Sequence, residues 1–81
     1  MDGESVLEVI KRTVTTVVPE VDPASVSADR TLEELGCNSI DRADILTMVM
    51  EKLAISVPAS EFRRSHDIGT LVGLLQNYAP A

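Results

Sequence analysis

Apolar residues recur at three- and four-residue spacing in three separate stretches of this chain, and nowhere do they alternate long enough to build a strand. Leu7, Ile10, Val14 and Val17 share one helical face; Ile45, Leu46, Val49 and Leu53 share a second; Ile68, Leu71, Val72 and Leu75 share a third. The short "AISV" segment cannot pair alone, so a sheet has no partner strands to draw on. The periodicity predicts an all-α fold: a small helical bundle of three main helices plus one short helix, with a long loop between the first and second main helices.

Prolines and capping residues set the boundaries. Ser5 and Glu8 have capping-box spacing, which predicts a helix start at Ser5. Residues 13–18 are all β-branched and weak helix formers, so packing has to hold that half, and Pro19 ends it. Residues 19–38 carry Pro19, Pro23, Gly36 and many Ser and Asp, and read as a loop with one helical turn, "TLEEL", boxed by Thr31 and Glu34. Leu32 and Leu35 are expected to pin that loop to the core. A loop of this length in so small a domain points to function. Residues 39–53 make the strongest helix, Pro58 breaks the chain after it, "ASEFRRS" makes a short helical piece anchored by Phe62, and Asp67 caps the last helix. Gly69 and Gly73, four residues apart, predict a close helix contact there.

With 81 residues the chain reads as a single domain, 1–81, that buries roughly 60% of its unfolded surface. Phe62 and Tyr78 are the only aromatics, so the core must be aliphatic. Cys37 is the only cysteine, which excludes an internal disulfide and fits a reducing compartment. No apolar run reaches the roughly 20 residues of a membrane span, and a cytoplasmic location with no membrane partner is the expectation. The formal net charge of −6 argues against nucleic acid and favours partners with basic surfaces. One Cys and one His cannot build a metal centre.

On the 39–53 helix, Ile40, Ala43, Thr47 and Met50 form a second apolar stripe away from the core face, bordered by Asp44 and Glu51. A small bundle needs one apolar face per helix, so this extra stripe is expected to meet a partner. The stretch "ELGCNSIDRADI" opens the same helix. With Asn38 as its cap, Ser39 becomes the first helical residue, its hydroxyl beside the positive end of the helix dipole, where an attached phosphate is stabilised. Spacing alone favours the plainer reading, in which Ser39 is the cap itself, with no chemistry. A catalytic triad is unavailable, because the single histidine, His66, sits in "RRSHD" without a neighbouring nucleophile.

"LGCNSIDRADILTMVMEKLAISVP" resembles the region around the modified serine of acyl carrier proteins, and the similarity continues through "DIGTLVGLL" at the last helix. The resemblance implies that a phosphopantetheinyl transferase modifies Ser39 with a 4′-phosphopantetheine arm taken from coenzyme A. It also implies that the arm's thiol carries an acyl group as a thioester, and that the protein is a covalent substrate of other enzymes with no catalytic residues of its own. Asn38 stands where most such carriers have Asp, and Arg42 makes the following helix less negative. "NSIDRADI" is similar to a narrower group, the free-standing carriers of polyketide β-branching. These deliver acetyl, made from malonyl by an acyltransferase and a decarboxylase, to a hydroxymethylglutaryl-synthase-like enzyme. In that reading Ile40, Ala43, Asp44 and Thr47 meet the synthase, with Arg42 nearby as a specificity contact, and the protein works as a monomer. Met1 and the lack of long linkers agree with a free-standing protein. Two alternatives remain at this level: a general carrier for an extender or aminoacyl unit, and an unmodified helical interaction module.

Overall fold

The computed structural model describes residues 2–79; Met1 lies outside them. Four helices follow in order: α1 (Gly3–Val17), α2 (Ser39–Leu53), α3 (Ala59–Phe62) and α4 (Ile68–Tyr78). No strand occurs among the described residues. The all-α expectation holds, with its long first connection.

Helix α1 starts earlier than its Ser5 signal. Asp2 is the cap, its Oδ1 accepting the Ser5 N–H at 2.7 Å, so Ser5 is a recipient of the cap and not its source. The buried face is centred on Val6, Ile10 and Val14, while Leu7 and Val17 sit half-buried at its edges. The weak second half is held by packing and by its own threonines. Buried Thr13 donates its hydroxyl to the Val9 carbonyl at 2.7 Å, which satisfies that polar group within the core.

Residues 19–38 are more ordered than a bare loop. A single 3-10 turn, Pro23–Ser25, is capped by Asp22, and Val21 and Val26 on either side are buried. Downstream, the Ile68 and Gly69 N–H groups donate to the Arg30 and Ala28 carbonyls, both at 2.9 Å. The free donors at the start of α4 thereby stitch the loop to the bundle. A Cβ on Gly69 would lie 3.1 Å from the Ala28 oxygen, so the close approach is to this loop and not to another helix. Around Gly73 there is open space, and the expected glycine-mediated helix contact is absent there.

The "TLEEL" turn has its predicted box: Thr31 N–H donates to Glu34 Oε1 at 3.2 Å, and Glu34 N–H to Thr31 Oγ1 at 3.0 Å. It is a turn and not a full helix, and it closes as a Schellman motif. Cys37 N–H donates to the Leu32 carbonyl and Gly36 N–H to the Glu33 carbonyl, with Gly36 at φ 92. The same motif closes α2: Ile55 N–H reaches the Met50 carbonyl and Ala54 N–H that of Glu51, but the left-handed position is filled by Ala54, at φ 55. These two sites predict opposite outcomes in urea denaturation. Gly36→Ala, with nothing near enough to clash, lowers stability by about 1–2 kcal/mol through backbone strain alone, and Ala54→Gly raises it by about 1 kcal/mol.

Helix α1 packs against both α2 and α4, and α3 packs against α4. No Cα of α2 comes within 8 Å of one in α4. The core therefore wraps α1 (Ile10, Ile45, Val49, Leu71 and Leu75 are buried), and a groove stays open between α2 and the α3–α4 corner. At that corner Asp67 accepts the Thr70 N–H at 2.8 Å, which holds its carboxyl below the usual carboxylate range and fixes the start of α4.

Candidate functional site

Ser39 is the first residue of α2, and Asn38 is its cap. Asn38 Oδ1 accepts the Asp41 N–H at 2.8 Å, and Asp41 Oδ2 accepts the Asn38 N–H at 3.2 Å, a reciprocal box that leaves the serine hydroxyl free of capping duty. The alternative in which Ser39 caps its own helix is thereby removed. Both Asn38 and Ser39 are exposed. The residue two before Ser39, Cys37, points the other way: it is buried, and burial pushes its thiol pKa up. A fixed backbone thus turns inward at Cys37 and outward at Ser39, with the Gly36 turn setting the change of direction.

The groove beside Ser39 has a volume of about 340 Å³. Leu32, Leu46 and Phe62 give it an apolar floor, and Arg42, Arg63 and His66 bring cationic or polar groups to its walls. Ser39 itself lines it. Of these, Leu32, Phe62, Arg63 and His66 belong to segments remote from Ser39 in sequence, and no local pattern identifies them as neighbours of the serine. His66 is exposed and makes no hydrogen bond to Ser39, so the arrangement has no base for a serine nucleophile. No cluster of metal-ligating side chains occurs among the described residues. What the geometry can do is present one free hydroxyl at a helix N-terminus, where the dipole favours an anion, next to an open groove that the same serine lines. These residues fit a serine-linked phosphodiester.

The predicted partner stripe divides. Ile40 is 72% exposed, and with Ala43, Asp44 and Thr47, all exposed, it gives an outward surface that runs from beside Ser39 along about two turns of α2. Glu51 is exposed at the far end. Met50 differs: it is half-buried against the core, and its Sδ accepts the Val57 N–H at 3.4 Å. Its place on the helical wheel, next to Leu46, draws it inward, and it belongs to the packing that holds the segment after α2. Arg42 is half-buried and donates from Nη1 to Glu33 Oε1 at 2.7 Å, an ion pair spanning nine residues that ties α2 to the preceding turn.

The profile of the family described as "phosphopantetheine attachment site" matches residues 8–75. The polyketide biosynthesis acyl-carrier-protein AcpK of Bacillus subtilis (strain 168) is 37% identical over 75 residues, which cover 93% of this chain and 92% of that protein. Among solved structures, the crystal structure of the curacin biosynthetic pathway HMG synthase in complex with acetyl donor-ACP contains a chain that superposes with a TM-score of 0.83 at 35% identity. That match covers 93% of this chain and 96% of the other.

Proposed function

This chain belongs to the phosphopantetheine-binding acyl carrier family, and from that premise we propose that Ser39 is its attachment site and that it is the acetyl donor of a polyketide β-branching system. It is a carrier and not an enzyme, and the family's group is 4′-phosphopantetheine. The single observation that carries the Ser39 assignment is the Asn38–Asp41 box, which frees an exposed hydroxyl at the start of α2. During modification the Ser39 oxygen takes the phosphopantetheine phosphorus of coenzyme A and loses its proton to the transferase. The broken bond is the pyrophosphate P–O, and adenosine 3′,5′-bisphosphate leaves. Once attached, the group supplies a flexible reach and a terminal thiol on which an acyl chain is held activated as a thioester.

The protein's own residues do the rest. Asn38 and Asp41 fix the helix start, so the hydroxyl keeps one direction. The N-terminal dipole of α2 steadies the phosphodiester charge. Ile40, Ala43, Asp44 and Thr47 make the face a partner enzyme meets, with Arg42 beside them as a positive charge that makes it less negative. The likeness to a donor carrier from an HMG synthase complex supports the donor role, and the polyketide carrier of Bacillus subtilis supports the pathway class. A transferase, an acyltransferase and a decarboxylase complete the partner set, all in the cytoplasm, with the carrier acting as a monomer of one domain. No helix among the described residues is long and apolar enough to cross a membrane.

The donor role is tested by loading acetyl on this protein and on an unrelated carrier and comparing the rate of transfer to an HMG-synthase-like enzyme. This protein is expected to be the faster donor. Exchanging Arg42 and Thr47 for the unrelated carrier's residues is expected to slow transfer by roughly tenfold or more, as for loss of a central interface contact. Equal rates from both carriers would overturn the donor role, and an unchanged rate in the exchange variant would overturn the assigned face.

A further inference from the structure

We infer that Arg42 is a positioning residue for the attached group, and that its Nε–H donates to a phosphodiester oxygen on Ser39. The inference rests on the Ser39 reading above and gives a task to a group that the partner surface leaves unexplained. Arg42 Nε is buried and has no hydrogen-bond partner, the only such side-chain atom among the described residues. A guanidinium cannot shed its proton to escape this, so the orphan donor is a standing cost until an acceptor arrives.

Arg42 lies three residues after Ser39 on the same helix, a spacing that places two side chains on one face, and both line the same groove. Glu33 takes Nη1 at 2.7 Å and leaves Nε unbonded; because Nε is covered from solvent, the fork has to turn to offer it to a second anion. The ion pair itself is substantially exposed and contributes little on its own, so it can shift as the fork turns toward a phosphate. The other acid of the groove, Asp67, is committed to capping α4, while Arg63 and His66 add no negative charge. A phosphodiester would thus enter a groove with an unsatisfied donor, whose two lining carboxylates, Glu33 and Asp67, are engaged by Arg42 and by the α4 cap. The grip would hold the first bonds of the arm along the groove and leave its distal end mobile.

The test compares the unmodified and modified forms of the intact protein. Wild type, Arg42→Lys and Arg42→Gln are each treated with coenzyme A and a broad-specificity phosphopantetheinyl transferase, and modification is verified by intact mass. The Arg42 Nε–H resonance is then followed by 1H–15N spectroscopy and the diester by 31P. In the wild type, modification is expected to shift the Nε–H signal downfield and slow its solvent exchange by roughly tenfold, as for a new charge-assisted hydrogen bond. The 31P signal is expected to differ between wild type and both variants, with Arg42→Lys failing to restore it because lysine lacks the fork. An Nε–H signal unchanged by modification would overturn the grip and leave the Ser39 assignment standing. A wild-type protein that gains no mass would overturn both.

Discussion

Ser39→Ala is expected to stay folded and to lose all phosphopantetheine uptake, with acyl transfer to any partner falling to background. Both halves follow from the geometry. The Ser39 side chain is exposed and makes no hydrogen bond within the protein, so its removal leaves no cavity and no orphan. The helix start survives because Asn38 and Asp41, and not Ser39, satisfy the terminal donors. Alanine at the first helical position is also a better helix former than serine. The chemical loss is complete because no other group can replace the oxygen that bonds phosphorus. Circular dichroism and urea denaturation report the first half, and intact mass the second. A destabilised Ser39→Ala protein would show that the hydroxyl has a structural task the hydrogen bonds do not reveal.

The largest effect on stability is expected at Ile10. It is fully buried on α1, the helix that alone bridges α2 and α4. Truncating such a residue to alanine costs about 2–5 kcal/mol through lost burial and an unfilled cavity. A domain of this size has roughly 4–12 kcal/mol in total, so Ile10→Ala is expected to sit near the edge of unfolding at 37 °C. The urea midpoint should fall steeply with the slope unchanged. The same change at Ile40, 72% exposed, should alter stability by no more than about 0.5 kcal/mol. The pair separates two placements of isoleucine in one chain: Ile10 holds the bundle, and Ile40 lies outside it.

How far each feature was legible depended on the range of its cause. Capping is local, so Asn38, Asp67 and the Thr31–Glu34 box could be read from neighbours three residues apart, and each is present. At α1 two local signals competed. Asp2 and Ser5 are three apart, as are Ser5 and Glu8, and the carboxylate one register earlier is the cap. The Pro23–Ser25 turn carried a signal in Asp22, whose side chain accepts the Ala24 N–H, but the prolines around it read more simply as loop. Gly36 was visible as a turn residue; nothing in the sequence marks Ala54, which takes a left-handed conformation because the chain must leave α2 there.

Features set by tertiary distance were not legible. Met50 lies on the wheel at the border between the outward stripe and the core face, and the Val57 N–H, which donates to its Sδ, fixes it on the core side. The groove exists because α2 and α4 diverge from α1, so Phe62, Arg63 and His66 reach the serine's neighbourhood from a separate element. The Arg42–Glu33 pair joins residues that helix periodicity cannot relate, since one lies in the turn. The exposed serine at the start of α2 and the outward stripe beside it were accessible from the sequence; the groove around them required the fold.

The central claim is that this protein holds its acyl group through Ser39. The most direct measurement incubates the wild-type chain with coenzyme A and a broad-specificity phosphopantetheinyl transferase, then takes an intact mass and fragments the product to locate the addition. One phosphopantetheine on the peptide carrying Ser39, and none elsewhere, is the predicted result. An unchanged mass, or an addition at any other serine, would contradict it.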